Sequence, residues 1–472
     1  REETMERLLD ELDAILLTAG DKGPNRPEFD VPEEFSQLES PSDLLQLMDH
    51  NPGKGKGWTA KTPLAAGTVV MVSKPIAWTM DVEAYADDEE DEDEMEDEEL
   101  LEEDEEEEMV DGSKSNDNVV LRVLQRIKEN PNIWFEQVTT LYPRDNVGSL
   151  PPWNCKDDNI RSQFESLLRE IEGIPQLQGK SNEIGQRLPL IIRYNVLSIE
   201  TCPELLSYPG PTGHSSLGGV GLFHLPSFFN HSPRPNLSRY AVGNLMWFVC
   251  NQDIPQGQEV CISYLEHDVL CENAKRRNAM LRMDFQEPDD GSGNIDDDGP
   301  QCPVVDSDVQ MELMEMVAFQ RMDDIDELMQ QATGEALPEG ERSEVDGMDA
   351  GGSAWFQCDI QNLRILKAIT LESLGQSTLA LGLWEECIQF AETSMPPNDE
   401  SAIVVRVQAA LCSWDVNDKD RARKHAATAL NTHNLIFGGG VNRFRRRYMK
   451  EFCLNLRKNK DSAEKILWPL QR

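Results

Sequence analysis

The chain has 472 residues, with 87 Asp and Glu against 44 Lys and Arg, for a formal charge of −43 at pH 7. That balance excludes a chain-wide phosphate-binding surface, because nucleic-acid affinity rests on Lys and Arg, and makes basic proteins or basic tails the better electrostatic match. No run approaches the roughly 18 apolar residues of a membrane span, so neither direct nucleic-acid binding nor membrane insertion is expected.

The length allows two or three domains with real cores. Ten cysteines stand singly, without a CxxC pair or a Cys/His cluster at zinc-ligand spacing. Reduced thiols in the cytoplasm or nucleus are the simplest reading, with no metal site expected. The first residues carry no secretory signal, and the chain begins at Arg1 rather than a methionine, which leaves room for sequence upstream.

Residues 1–50 read as a helical extension. Thr4–Leu17 has helical spacing of apolar positions, and Ser42-Asp43 caps a second short helix running through Met48. A different texture opens at Gly53-Lys54-Gly55-Lys56-Gly57-Trp58. Alternating glycines lead into a strand over Trp58–Ala60, a turn at Ala65-Ala66-Gly67, and an alternating strand over Thr68–Val72. Residues 51–80 are thus β-rich.

Residues 81–187 read as a helical insertion. Nineteen acids stand between Asp87 and Glu108; this run repels itself and cannot build a core, so it is expected to be disordered or a solvated helix. Its simplest role is a solvating spacer, with a docking arm as the sharper alternative. Asn118–Asn130 and Asp157–Glu172 are amphipathic helices, separated by a loop over Tyr142–Lys156.

Residues 188–290 return to strands. Leu188–Ile199 passes from helix to strand, and Gly218–Phe223 leads into Phe228-Phe229-Asn230-His231-Ser232-Pro233-Arg234-Pro235-Asn236. Alone, that cluster reads as a satisfied polar turn beneath a sheet, since buried polar groups need partners. Asn236–Ala241 and Leu245–Asn251 form two strands joined through Val242-Gly243-Asn244. A tight turn over Ile254–Glu259 then feeds a last strand, Val260–Tyr264.

A linker spans 291–304, and residues 305–472 are all helical in pattern. A Met-rich helix covers Asp308–Ala332, with Met311, Met314, Met322 and Met329 as core filler. A polar loop over Glu335–Ser353 precedes helices Phe356–Leu374, Ser377–Ser394, Glu400–Trp414 and Asp418–Asn434, whose lengths and short connections suggest two degenerate helix-turn-helix repeats. A final helix covers Asn442–Arg457. Arg443, Arg445, Arg446, Arg447 and Lys450 make it basic, and a solvated or acid-paired face is the expected role.

The order of these pieces resembles a SET-domain protein. The resemblance rests on the Gly-Lys-Gly-Trp lead-in, an interrupted β-rich region, Asn230-His231-Ser232 with Pro235-Asn236, and Glu259-Val260-Cys261-Ile262-Ser263-Tyr264. More narrowly it is similar to the SMYD-like branch without its MYND finger, in which a helical insertion splits the SET core and TPR-like helices follow. The fold class implied is α+β, with an all-α TPR-like domain after the split core.

The activity implied is transfer of a methyl group from S-adenosyl-L-methionine to the ε-amine of a lysine in a protein substrate. A basic substrate suits the acidic chain best, and the TPR-like helices imply a surface for a protein partner. Carried over by position, Lys56, Gly57 and Trp58 approach the methionine end of the cofactor, and Asn230 and His231 hold it. Asn195, placed in the strand before the motif, matches a cofactor asparagine. Phe285 stands where an aromatic stacks near adenine, and Tyr264 is the tyrosine of the methyl-transfer channel. Pro233 stands where the branch has a zinc-binding cysteine, and Phe285–Asp289 replaces its later Cys cluster. The alternative is a TPR-like interaction scaffold with a catalytically silent SET core.

Overall fold

The computed structural model describes residues 43–49, 55–80, 112–144, 153–199, 219–242, 245–265, 281, 312–314, 316–333, 354–448 and 460–469. The helix expected over Thr4–Leu17, the acidic run, the 291–304 linker, the loop over Glu335–Ser353 and Phe285 lie outside these residues.

Ten short strands form three sheets. β1 (Leu45–Asp49), β2 (Lys56–Ala60), β10 (Glu259–Ile262) and β7 (Asn230–His231) lie in that order; β3 (Val69–Ser73), β9 (Leu245–Cys250) and β8 (Leu237–Val242) form the second sheet; β4 (Ala77–Met80), β6 (Gly219–Leu222) and β5 (Val196–Ser198) form the third. All pairings are antiparallel except β10 with β7.

The first strand corrects the sequence reading. Residues expected to form a helix through Met48 instead pair with β2, Leu45 opposite Ala60 and Leu47 opposite Trp58. Five residues are too few for a stable isolated helix, whereas a neighbouring edge supplies every other backbone group with a partner.

The second sheet is buried on both sides, which explains the unbroken apolar run Leu245-Met246-Trp247-Phe248-Val249-Cys250. Met246, Phe248 and Cys250 join one core with Leu237, Ala241, Val70 and Met71. Leu245, Trp247 and Val249 face the opposite way into a core shared with the C-terminal helices. The period-2 alternation of a strand places the two sets on opposite faces.

The insertion contributes α1 (Gly112–Glu129), α2 (Pro131–Thr139), α3 (Asp158–Glu172) and α4 (Ser181–Asn195). α1 lays Val119, Val123 and Leu124 into the first core and packs on β4 and β6. α3 starts where expected because the Asp157 carboxylate accepts from the backbone N–H groups of Asn159 (2.8 Å) and Ile160 (3.2 Å). α2 occupies a stretch to which the sequence reading gave no element: Asn130-Pro131 ends one helix and starts the next, since proline suits a first helical turn.

Beyond the sheets, α5 (Ala318–Thr333) is separated from a helical turn at 312–314, so the long Met-rich helix is broken. Met322 and Met329 are partly buried against apolar clusters, but Met314 is exposed. α6 (Ala354–Ser373), α7 (Ser377–Ser394), α8 (Glu400–Asp415) and α9 (Lys419–Ile436) follow, each packed on the next. Asp399 caps α8 through Ser401 N (2.9 Å), and Asp418 caps α9 through Arg421 N (3.1 Å).

α10 (Gly440–Tyr448) covers the first part of the helix expected over Asn442–Arg457, whose remainder lies outside the described residues, and α11 (Lys460–Leu467) follows. Of the basic residues, Arg443 and Arg447 are buried rather than solvated, and the acid-paired reading holds at Arg447 and Arg445, which pair with Glu400 and Glu464. Arg443 donates to Phe437 O at 2.8 Å, and Arg447 forks onto both carboxylate oxygens of Glu400 at 2.8 and 2.9 Å.

α8 and α9 dock on the second sheet. Ile403, Val407, Ala410 and Leu411 meet the Trp247 face, and Ala422, Ala426 and Ala429 keep α9 close. Gly67 marks how near the two parts come: its φ is +83°, and a Cβ there would stand 2.7 Å from Leu435 Cδ1.

Candidate active site

The site candidates converge where β7 and β10 lie side by side. The β10–β7 pairing sets Cys261 beside Asn230 and Ile262 beside His231, and Ser232 N extends it to Ile262 O at 2.9 Å. On its other edge β10 pairs with β2, Val260 opposite Trp58. Three segments far apart in sequence, 56–60, 230–232 and 259–264, therefore share one sheet.

Two bonds lock Tyr264 to the Asn-His segment. Its backbone N–H donates to His231 Nδ1 at 3.0 Å, and its hydroxyl donates to Phe229 O at 2.8 Å. The rings of His231 and Tyr264 lie 5.4 Å apart. Because Nδ1 accepts, a neutral His231 carries its proton on Nε2. Burial, with Cys261 and Glu259 beside it, holds the Tyr264 hydroxyl well above the usual phenol range. Tyr264 is thus a neutral, oriented hydroxyl at physiological pH and not a phenolate base.

Asn230 donates from Nδ2 to Glu259 Oε1 at 2.6 Å. Asn236, buried, grips β10 on both sides of Val260: Nδ2 donates to Glu259 O (2.9 Å), and Oδ1 accepts from Cys261 N (2.8 Å). Its amide thereby satisfies one backbone carbonyl and one backbone N–H of β10. Lys56 is half-buried at the start of β2, and Gly57 and Trp58 are buried after it. The Trp58 indole N–H donates to Leu225 O at 3.0 Å, and its ring centroid lies 6.5 Å from Phe228 and 6.4 Å from Phe229. Trp58 is therefore an aromatic floor under the Asn-His segment.

Asn195 stands elsewhere than expected. It is the last residue of α4, not a strand residue, and its Nδ2 donates to Tyr142 O (2.5 Å) and Ile191 O (2.8 Å). Both amide hydrogens are thereby spent on backbone carbonyls. Its own carbonyl lies 3.4 Å from Ser227 Oγ. Phe285 lies outside the described residues.

Sequence reasoning assigned no role to Glu259, Asn236 or His224. His224 Nε2 lies 3.1 Å from Thr140 Oγ1, its ring packs 5.5 Å from Phe228, and burial lowers its pKa. The signal for Asn236 was present in the motif itself: an asparagine directly behind two prolines, with β propensity following. Among the described residues, no group of three or more His, Cys, Asp or Glu is placed to hold a metal ion.

A SET domain family model matches residues 55–265, a span that contains β2, β7 and β10 and ends one residue past Tyr264. A potential protein lysine methyltransferase of Saccharomyces cerevisiae, SET6, is 26% identical over 170 residues, covering 28% of this chain and 45% of that protein. A SET and MYND domain-containing protein of Dictyostelium discoideum is 26% identical over 163 residues, covering 33% of this chain and 30% of that one. The chain thus spans less than half the length of these curated relatives. Among solved structures, the crystal structure of the SET domain of LSMT bound to lysine and AdoHcy aligns over 92% of this chain and 96% of that one, at 12% identity and a TM-score of 0.26.

Proposed function

We propose that this chain, which carries a SET domain over residues 55–265, transfers a methyl group from S-adenosyl-L-methionine to the ε-amine of a lysine in a protein substrate. The observation that carries the reading is the junction of Tyr264 with His231 and Asn230 on paired β7 and β10, inside the matched span. The yeast relative, a potential protein lysine methyltransferase, lends it support.

The residues present suit the cofactor's chemistry. Adenosine with an amino acid is amphipathic, and such ligands are held by an apolar floor with a few placed polar groups. Here Trp58, Phe228 and Phe229 form the floor, and half-buried Asn230, His231 and Lys56 form the polar rim. Bound there, S-adenosylmethionine would supply an electrophilic methyl on a positively charged sulfur.

The chain's own part is orientation and desolvation. Tyr264 presents an oxygen fixed by its bond to Phe229 O, so an arriving amine meets an acceptor whose position is set before binding. The lysine must lose its proton, with an ordinary pKa near 10.4, and burial beside a cation lowers that value. Tyr264 stays protonated throughout this range and neither takes nor gives the proton.

The proposal extends to a protein substrate with basic character and to TPR-like helices as a partner surface. It includes a reducing compartment, cytoplasm or nucleus, in keeping with the five buried cysteines among the described residues that stand outside any disulfide. The test is isotope transfer from labelled S-adenosylmethionine to candidate proteins, with lysine located by mass spectrometry. Calorimetry with S-adenosylhomocysteine decides the alternative: folded protein that binds none of it is a scaffold and not an enzyme of this class.

A further inference from the structure

A chain of amides joins the helical region to the β7–β10 junction. It starts at Asn398, in the connection between α7 and α8, whose Nδ2 donates to Asn251 O at 2.7 Å. Asn251 is 1% exposed and directly follows β9. Its backbone N–H donates to Asn236 O (3.1 Å) and its Nδ2 to Pro235 O (3.1 Å). Asn236 in turn grips Glu259 O and Cys261 N, and Glu259 receives the Asn230 amide. Every link is a directed hydrogen bond, and the last two fix the strands that carry Asn230, His231 and Tyr264.

The geometry at Asn398 favours this residue type. Its φ is +57°, in the left-handed region that asparagine enters more readily than most residues. The apolar contact between α8 and the second sheet holds the two parts together without direction. The Asn398 bond sets where the end of β9 sits, and β9 hands that position to Pro235 and Asn236. Removing the donor leaves a buried carbonyl without the group that orients it.

We propose that Asn398 is a positioning residue through which the helical region sets the alignment of β7 with β10, and with it the affinity for the cofactor. The affinity arm of this inference rests on the cofactor reading above; its structural arm does not. Two variants test it in the full chain. Asn398→Gly keeps the left-handed backbone and removes the amide; Asn398→Asp keeps the size and turns the donor into an acceptor facing a carbonyl. Gln361→Ala serves as control, since Gln361 Nε2 bonds Cys387 O inside the helical region.

In both Asn398 variants the Kd for S-adenosylhomocysteine should rise about three- to tenfold, the scale of one hydrogen bond. Hydrogen–deuterium exchange should quicken in peptides covering 228–236 and 257–265 while α8 and α9 keep their protection. Gln361→Ala should change neither. Unchanged exchange in both peptides overturns the inference, as does loosening spread evenly over α8, α9 and the junction. Should the wild-type protein bind no cofactor, the functional reading falls, and the exchange pattern alone decides the coupling. Should it bind, with both variants equal to it in Kd, the affinity arm is wrong.

Discussion

The β7–β10 junction and the helices α6 to α9 hold themselves together by opposite means. In the helical region each element packs on its neighbour in the chain, through Ala368, Leu371, Ala380, Leu381, Trp384 and Cys387. At the junction, β10 pairs with β2 and β7, and single side-chain-to-backbone bonds, such as that of Trp58 with Leu225, 167 residues away, fix the segments further. Apolar packing is proportional to area and lacks direction, whereas hydrogen bonds define angles. The helical region is therefore built for stability and the junction for geometry. Changes in volume should damage the first, and loss of an amide or hydroxyl the second.

The largest effect expected is in the helical region. Trp384 is 1% exposed and donates from Nε1 to Glu372 Oε1 at 2.7 Å. Trp384→Ala should cost about 3–5 kcal/mol in urea unfolding, with cofactor affinity kept under conditions where the protein stays folded. A cost under about 1 kcal/mol would mean that the helices do not depend on this packing.

At the junction, Asn236→Leu keeps volume and removes two buried bonds, to Glu259 O and Cys261 N. The expected loss is about 2–4 kcal/mol, and S-adenosylhomocysteine binding should fail even in folded protein. Here the readouts separate: an Asn236→Leu protein that unfolds earlier but binds normally would make this amide structural only.

Tyr264→Phe is the sharper probe, since it deletes one oxygen and no packing. Methyl transfer should fall about a hundredfold, the usual scale for one positioned polar group at a reacting centre. Cofactor Kd should stay within about threefold and stability within about 1 kcal/mol, the value of a single hydrogen bond. Equal transfer by wild type and Tyr264→Phe would remove the role assigned to this hydroxyl.

The same contrast explains what was legible from sequence. Helices carry local signals: Asp157, Asp399 and Asp418 stand as caps where α3, α8 and α9 begin, and Gly375 takes a φ of +81° directly after α6. Strands β2, β3, β8, β9 and β10 were readable through alternation or dense apolar runs between turns. β1 was not, because its strand state comes from pairing with β2 and its composition suits either form. The burial of Arg443 and Arg447 was hidden for a like reason. Arginine is mostly exposed in sequence statistics, and only the fold brings Glu400 within 2.8 Å of Arg447. Of the site, the residue types were legible in the Asn-His-Ser and Ser-Tyr segments. The Asn398–Asn251 link was not, since neither residue belongs to a motif and 147 residues separate them.

The smallest effect concerns a polar group inside the apolar region, where the contrast is least clean. His425, 8% exposed, lies with its Nδ1 3.5 Å from Arg406 Nη1. Burial first, then the charges of Arg406, Arg421 and Lys424, lower its pKa to about 4, against a weaker opposing pull from Asp418. A histidine held neutral by the fold takes up its proton first in the unfolded chain. Its contribution is therefore constant above the unfolded pKa near 6.5 and turns against folding as pH falls from there toward 4. By pH 5 the loss should reach about 1–2 kcal/mol. Thermal unfolding between pH 7 and pH 5 measures it, and His425→Gln should flatten the slope. Some slope should persist, because His433, buried beside Arg443 and Arg447, is also held neutral. A wild-type Tm independent of pH over this range would show that acid finds a partner for these rings, and that the helical region is less purely apolar than its packing implies.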